Sequence, residues 1–244
     1  MKKKFLSVVI PVFNEQETIL KILKKINLVE IQKEVIIIND GSVDKTDTII
    51  KQHTYLYDHY ISYSQNKGKG FACRLGISKA SGEVIIIQDA DLEYNPKNYH
   101  TLVNKYLNNK NIKAVYGSRV AKGGRNIKPT GIRPYLSKFA NYFLTKFSNI
   151  LNQQNLSDAH TCYKMVERGL MQDLRLEQNG FAVCPEITAK LSKKGIEIHE
   201  VPIDYFGRSY SEGKKIRSIH VLEAIYVLLK YNFPYRGYKS WLRG

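Results

Sequence analysis

Three acids close a short aliphatic run in Val84-Ile85-Ile86-Ile87-Gln88-Asp89-Ala90-Asp91-Leu92-Glu93. A run this dense predicts a strand buried on both faces of a parallel sheet. Ligands of open α/β folds sit beyond the carboxyl ends of such strands. If the chain stays extended past Gln88, side chains alternate, and Asp89, Asp91 and Glu93 project to one side. Clustered carboxylates repel one another and are costly to desolvate. A divalent cation bridging substrate phosphates relieves that cost. A strand followed by a polar turn is the plainer alternative.

The elements that must position these acids are legible on either side of them. Leu6-Ser7-Val8-Val9-Ile10-Pro11 predicts a first buried strand. Asn14 is expected to cap a helix, with Glu17 completing a box-like start; Ile19, Ile22, Leu23 and Ile26 then recur at helical spacing. Val35-Ile36-Ile37-Ile38 predicts a second buried strand ending at Asn39-Asp40-Gly41-Ser42, with a helix from Asp44 to Gln52. A third strand at Tyr60–Tyr63 leads into the turn Asn66-Lys67-Gly68-Lys69-Gly70 and a helix to Ala80; Ala114-Val115-Tyr116-Gly117 reads as another strand. Strands alternating with helices imply an α/β fold with a doubly wound, mostly parallel sheet. The regular pattern stops near residue 120. Ala121 to Pro134 reads as a mobile basic loop, Tyr135 to Leu151 as an amphipathic helix, Glu197 to Tyr205 as a late strand and Arg217 to Tyr231 as an apolar helix. The expected division is a main domain over 1–216 and a helical, basic appendage over 217–244.

Composition narrows the function classes. The chain has 244 residues, 43% hydrophobic, enough for a sizeable core and inconsistent with wholesale disorder. Three widely spaced cysteines, Cys73, Cys162 and Cys184, form neither a disulfide framework nor a zinc motif. The basic start lacks a signal peptide's apolar core, and no apolar run is long enough for a bilayer, so the expected location is the cytoplasm or the cytoplasmic membrane face. A net charge of +16 calls for an acidic partner: phosphates, anionic lipid or nucleic acid. The charge is dispersed and no RNA or DNA motif accompanies it, which argues against nucleic acid.

The ordered motifs resemble the family 2 glycosyltransferases of the GT-A, nucleotide-diphospho-sugar-binding fold. Within them the chain is most similar to the dolichol-phosphate mannose synthases and their bacterial polyprenyl-phosphate relatives. The resemblance covers roughly residues 5 to 216. It rests on Val9-Ile10-Pro11-Val12-Phe13-Asn14-Glu15, Ile38-Asn39-Asp40-Gly41-Ser42-Val43-Asp44, Asn66-Lys67-Gly68-Lys69-Gly70, Asp89-Ala90-Asp91-Leu92-Glu93, Gly117-Ser118-Arg119 and Arg208-Ser209-Tyr210-Ser211-Glu212-Gly213-Lys214-Lys215. It implies that Pro11, Phe13, Glu15, Asp40, Gly68, Gly70, Asp89, Ala90 and Asp91 bind the nucleotide-sugar. Asp89, Asp91 and Glu93 match the position of a Mn²⁺ or Mg²⁺ site. Arg119 matches a residue turned toward an acceptor phosphate, a role that suits a guanidinium. Arg133 shares that role or is a solvated loop charge. Asp158 matches an Asp before a small-residue turn, although the usual Ser-Gly-Phe reads Thr161-Cys162-Tyr163 here. Arg208 and Lys215 match late basic residues that close over phosphate, with Lys214-Lys215 in place of the usual Ser-Lys.

The implied reaction is an inverting, metal-dependent transfer of a sugar from GDP-mannose or a UDP-hexose to a polyprenyl phosphate. The catalytic set is Asp89, Asp91, Arg119, Asp158, Arg208 and Lys215. An anionic lipid phosphate needs no strong general base; an alcohol does, and Asp158 and Glu186 are the candidates. The alternative is non-processive transfer to a hydroxyl of a surface glycan or other saccharide. The processive synthases' Gln-x-x-Arg-Trp is absent, the only Trp being Trp241. A polyprenyl phosphate stays in the bilayer, so peripheral contact with anionic membrane is expected through Tyr135–Leu151 or Arg217–Tyr231. Packing of those stripes on the core, or a homodimer, is the other reading.

Overall fold

The structure, a computed structural model, describes the backbone of residues 4–124, 126–127, 132–208 and 219–233, and the side chains of 4–124, 139–208 and 220–233. Its first half follows the aliphatic runs. Strand β1 (Leu6–Val12), helix α1 (Ile19–Asn27), β2 (Lys33–Asp40), α2 (Thr46–Lys51), β3 (His59–Tyr63), α3 (Lys69–Lys79) and β4 (Val84–Ile87) alternate as expected. Then come α4 (Tyr99–Leu107), β5 (Ala114–Ser118), β6 (Asn126–Ile127), α5 (Ile132–Asn152), β7 (Lys164–Glu167), α6 (Arg168–Asp173), α7 (Val183–Lys193), β8 (Ile198–Pro202), β9 (Tyr205–Phe206) and α8 (Ile219–Asn232).

Seven strands form one sheet in the order β3-β2-β1-β4-β7-β5-β8. Only β7 runs against its neighbours: Ile85 faces Val166 across one seam, and Ala114 faces Val166 across the other. The mostly parallel, doubly wound sheet of the sequence reading is therefore present, with one inserted antiparallel strand.

Alternation explains why the runs are apolar throughout. Val8, Ile10, Ile37 and Ile86 pack on one face under α1 and α4, with Ile19, Ile22, Ile26 and Leu102. Val9, Ile36, Ile38, Ile85 and Ile87 pack on the other under α3 and α7, with Ala72, Ile77, Val183 and Ile187. Successive side chains of one strand thus feed two cores. Cutting Ile22 or Ile86, both fully buried, back to Ala costs about 2–5 kcal/mol.

Four local expectations are corrected. Helix α1 begins at Ile19 after Thr18, so Asn14 and Glu17 form no capping box. Asn14 has a φ of 48° and is recruited by a different loop: its Oδ1 accepts from Val43 N, and its own N donates to Ser42 Oγ. The chain does not stay extended past Gln88, because β4 ends at Ile87 and Leu92 adopts a φ of 66°. The late strand is two: β8 stays in the main sheet, whereas β9 pairs with β6. The basic loop is shorter than its composition suggests, since β6 and the first turn of α5 lie within it.

Helix α8 packs against the body of the protein. Val227 and Tyr231 bury themselves against Ala182 and Ala189. Asn232 Nδ2 donates to Asn152 Oδ1 of α5 at 2.8 Å. Among the described residues, no helix is long and apolar enough to cross a membrane.

Candidate active site

Parallel strands share an exit. The carboxyl ends of β1, β2 and β4 therefore gather Pro11, Phe13 and Glu15, then Asp40, then Asp89, Ala90 and Asp91 at one edge of the sheet. Asp40 is buried and already has a structural task. Its Oδ1 accepts from Lys67 N at 2.7 Å and its Oδ2 from Gly68 N at 2.9 Å. The sequence reading offered Asp40 to the nucleotide; the structure adds that it fixes the glycine turn. Each carboxylate oxygen retains a second lone pair for a ligand.

That turn is pressed against the segment before α7. Gly70 N donates to Asn179 O at 2.6 Å. A Cβ at Gly70 would lie 2.1 Å from Gln178 O, and one at Gly68, whose φ is +97°, would lie 2.4 Å from Asn179 O. Only glycine fits either position.

Between the glycines, Lys69 crosses to the acidic turn. Its Nζ lies 2.5 Å from Asp89 Oδ1 and 3.3 Å from Cys162 Sγ. Burial pushes the Asp89 carboxyl up, but the Lys69 charge and hydrogen bond, with help from Cys162 and Arg208, hold it below the ordinary value. Asp91 goes the other way. Burial, then the charges of Asp89 and Glu93, raise it to about 7, against the pull of Arg208.

Arg208 spans two carboxylates. Its guanidinium reaches both Glu15 oxygens at 3.3 Å and Asp91 Oδ2 at 3.2 Å. Glu93 takes a different place from its acidic neighbours. It accepts from Tyr205 OH at 2.7 Å and from Arg208 N at 2.8 Å, which staples the chain after β9 to the acidic turn. Among the described residues, no three His, Cys, Asp or Glu side chains converge as a metal cage. Asp89 and Asp91 nonetheless fit a hard divalent cation completed by phosphate oxygens. They supply oxygen donors only, and a cation would offset both the burial that chiefly raises Asp91 and the neighbouring charges of Asp89 and Glu93.

A second charged pair lies beyond β5. Arg119 Nε donates to Asp158 Oδ2 at 2.6 Å and Arg119 Nη2 to Asp158 Oδ1 at 2.7 Å. The Arg119 backbone N adds a third bond at 3.1 Å, and Asn141 touches both partners. The Arg119 guanidinium also lies 5.3 Å from the Tyr205 ring centroid. Burial alone would raise Asp158, but the Arg119 charge and hydrogen bonds push it far below the usual carboxylate range. Arg119 is thus brought near the site by Tyr205, while its fork is engaged by Asp158.

Glu186, the other candidate base, is fully buried. It accepts from Glu177 N at 2.7 Å, Gln178 N at 2.9 Å, Tyr231 OH at 2.8 Å and Lys190 Nζ at 2.8 Å. Lys215 and the Arg133 side chain lie outside the described residues. The sequence reading missed roles for Lys69, Asn141 and Tyr205. A Lys flanked by two glycines at a helix start was a usable signal for the first; the other two are joined to the site only by tertiary packing.

Comparison with known proteins agrees with this geometry. A dolichol-phosphate mannosyltransferase of Pyrococcus furiosus is 27% identical over 230 residues, covering 92% of this chain. This chain spans 64% of that relative's length. An uncharacterized protein of Methanocaldococcus jannaschii is 27% identical over 225 residues, covering 86% of this chain and 94% of its own. Glucosyl-3-phosphoglycerate synthase of Mycobacterium tuberculosis, in a crystal structure with phosphoglyceric acid, superposes with a TM-score of 0.69 at 20% identity, over 93% of this chain and 80% of that one. The same enzyme with Mn²⁺, UDP and glucosyl-3-phosphoglycerate gives a TM-score of 0.65 at 21% identity, again over 93% and 80%. The fold is GT-A. The family model described as glycosyl transferase family 2 matches residues 7–175, and the chain belongs to that family.

Proposed function

We propose that this glycosyltransferase moves a sugar from a nucleotide-diphospho-sugar to the phosphate of a polyprenyl lipid. The carrying observation is that the two carboxylates named from the sequence as candidate bases are buried and engaged, Asp158 by Arg119 and Glu186 by two backbone amides. A phosphate acceptor arrives anionic and needs neither of them. The likeness to a dolichol-phosphate mannosyltransferase supports the same acceptor class.

In this reading the diphosphate of GDP-mannose or a UDP-hexose meets Asp89 and Asp91 at the end of β4. A Mn²⁺ or Mg²⁺ held by those two residues would supply Lewis-acid stabilisation of the leaving diphosphate. Structural neighbours bind such ions together with UDP. Asp40, Gly68 and Gly70 shape the nucleotide side, with Pro11, Phe13, Glu15 and Ala90 along its edge. Arg208 and Lys69 are cations placed to turn from the acids to phosphate oxygens as charge builds there. Arg119, at the far side of Tyr205, faces the acceptor. Displacement from the face opposite the leaving group inverts the anomeric centre.

Membrane contact belongs to the same proposal. Phe139, Tyr142, Phe143 and Ile150 of α5, Leu222 and Tyr226 of α8 and Phe233 just after it are more than half exposed, on two helices that pack together. Lys146 and Lys230 border them, and the chain carries +16. Apolar stripes edged by cations suit the surface of an anionic bilayer. The protein is expected to float with phosphatidylglycerol vesicles, more strongly as anionic content rises. Remaining in the soluble fraction at low salt overturns the docking, and sedimentation as a dimer would assign the face to a second copy.

A soluble acceptor is the second reading, favoured by the likeness to a synthase crystallised with phosphoglyceric acid. Incubation of the purified protein with GDP-mannose or UDP-glucose, Mn²⁺ and either polyprenyl phosphate, phosphoglyceric acid or a free saccharide separates the two. Transfer to the lipid phosphate alone is the expected result; transfer to a saccharide hydroxyl alone sinks the proposal.

A further inference from the structure

Glu186 is a fully buried carboxylate in α7, outside the cluster of acids at the strand ends. Its hydrogen bonds go to three separate parts of the chain. Two are to the backbone amides of Glu177 and Gln178, one is to Tyr231 OH of α8, and Lys190 Nζ neutralises it from the next turn of α7. The segment it holds is hydrogen-bonded to the donor-side turn. Gln178 O accepts from Arg74 Nη1 at 2.5 Å, and Asn179 Oδ1 accepts from Arg74 Nη2 at 2.6 Å. Asn179 O accepts from Gly70 N at 2.6 Å and Phe71 N at 3.2 Å. On the other side of that turn, Lys67 N and Gly68 N bind Asp40, and Lys69 reaches Asp89. Lys230 closes the circuit from α8, donating to Glu177 Oε2 at 2.9 Å, and the Tyr231 hydroxyl lies 3.1 Å from the same oxygen.

We infer that Glu186 and Tyr231 are positioning residues: they set the register of segment 177–180, and that segment sets the Gly68–Gly70 turn against which the donor nucleotide binds. The inference rests on the placement of the donor at that turn. The physical reason is that a carboxylate accepting two consecutive backbone amides fixes both peptide planes. The glycines opposite have no side chains to absorb a shift: an added Cβ would already collide with Gln178 O and Asn179 O. A displacement of segment 177–180 therefore moves the amides of Gly70 and Phe71 directly. A helix with an exposed outer face, α8, is in this way joined to the nucleotide end of the sheet by a continuous chain of hydrogen bonds, beside its apolar packing on Ala182 and Ala189.

Two measurements test this on the full chain. Hydrogen exchange reads the link without any ligand: Glu186→Gln and Tyr231→Phe should exchange faster at 67–71, with the β1 and β2 amides unchanged. Titration with GDP and with UDP, each with Mn²⁺, reads the consequence. Glu186→Gln should raise the Kd of whichever nucleotide the wild type binds by about tenfold, Tyr231→Phe by less, and saturating donor should restore turnover. A merely structural role would lower the folded fraction and kcat while leaving the Kd of the folded protein unchanged. If Glu186→Gln fails to fold, Arg74→Ala, which removes two bonds to the same segment from the solvent side, should show the same pair of changes. Unchanged exchange at 67–71 in folded variants overturns the link. Faster exchange with unchanged nucleotide Kd keeps the link and overturns the donor placement on which its function rests.

Discussion

The acids at the ends of β2 and β4 and the acid beyond β5 are held in different ways. Asp89 and Asp91 each meet a single cationic side chain, Lys69 and Arg208, and all four groups keep between 12 and 17% of their side-chain surface exposed. Asp158 has none exposed and is gripped by the Arg119 fork in a bidentate pair. A single, partly hydrated contact can be exchanged for a phosphate or a metal at small cost. A bidentate pair on a fully buried carboxylate is far costlier to open, although Arg119 itself is 17% exposed, because separation strands the Asp158 charge. On the proposed function, the first region changes partners during turnover, whereas Arg119 meets the acceptor without leaving Asp158.

That contrast is most exposed to attack at the acidic turn. Asp89→Asn or Asp91→Asn should lower transfer at least about a hundredfold, the scale of losing one electrostatic contact to a transition state. The fold should survive, most clearly for Asp91, whose carboxyl is raised to about 7 and is well mimicked by a neutral amide. Initial rates and thermal melts check both halves. Full activity in either variant, or activity indifferent to excess EDTA, would remove the metal-holding role.

Arg119 sharpens the comparison from the other side. Arg119→Ala should reduce transfer to polyprenyl phosphate about tenfold or more while changing donor Kd less than about threefold. It should also destabilise the fold by about 3–5 kcal/mol, since Asp158 is left buried without its partner. Arg119→Lys keeps the charge and loses the fork, so it separates the two effects. An equal loss of donor affinity would move Arg119 to the donor side.

The same division marks what could be read in the sequence. The donor region was legible because unbroken aliphatic runs announce doubly buried strands, and parallel strands deliver their ends to one place. Asp89 and Asp91 were placed at such an end by that pattern, and Glu15 and Asp40 were joined to them through the family resemblance. The region around Arg119 and Asp158 was named through the resemblance alone, and its packing was not legible. Strand β7 is only Lys164–Glu167, and half of it is charged; its Lys164 is buried over the Tyr116 ring. Its partners, Ile85 and Ala114, are far away in sequence, and no local period announces the pairing. The Arg119–Asp158 bond joins residues 39 positions apart. The misread cap at Asn14 has a related cause: a side chain with a local option was taken by a loop from the next β-α unit.

Asp158 gives a pH test of the locked pair. Its folded-state carboxyl is held below its unfolded value by Arg119. Stability from the pair is therefore fully present above the unfolded value of about 4 and is lost as pH falls below it toward the lowered one. Acid titration of wild type against Asp158→Asn should show a difference of about 2–3 kcal/mol at neutral pH that shrinks below pH 4. A difference independent of pH would mean that packing, not charge, holds the region.

Lys164 sits behind that pair and supplies the smallest effect. Its ammonium is fully buried, donates to Ala159 O at 2.8 Å and Thr188 Oγ1 at 3.2 Å, and lies 3.6 Å from the Tyr116 ring centroid. Burial pushes it down to about 8, against the nearby charges that favour protonation. The folded state thus releases this proton before the unfolded chain does, and between about 8 and 10.5 the unfolded chain binds more protons. Stability should rise with pH in that window, as it does for Asp158 at acid pH, but here the favoured form is the neutral one, whereas Asp158 stabilises when charged. Because cysteines and tyrosines of the unfolded chain also begin to ionise there, the effect is read against Lys164→Met: between about pH 8 and 9.5 urea melts should show the wild type gaining about 1–2 kcal/mol relative to that variant. Lys164→Met should flatten that rise and leave the acid limb of Asp158 intact. If it abolishes the acid limb as well, Lys164 and the Arg119–Asp158 pair titrate as one unit, and the rigid half of the site extends from β5 through β7 to Thr188 of α7.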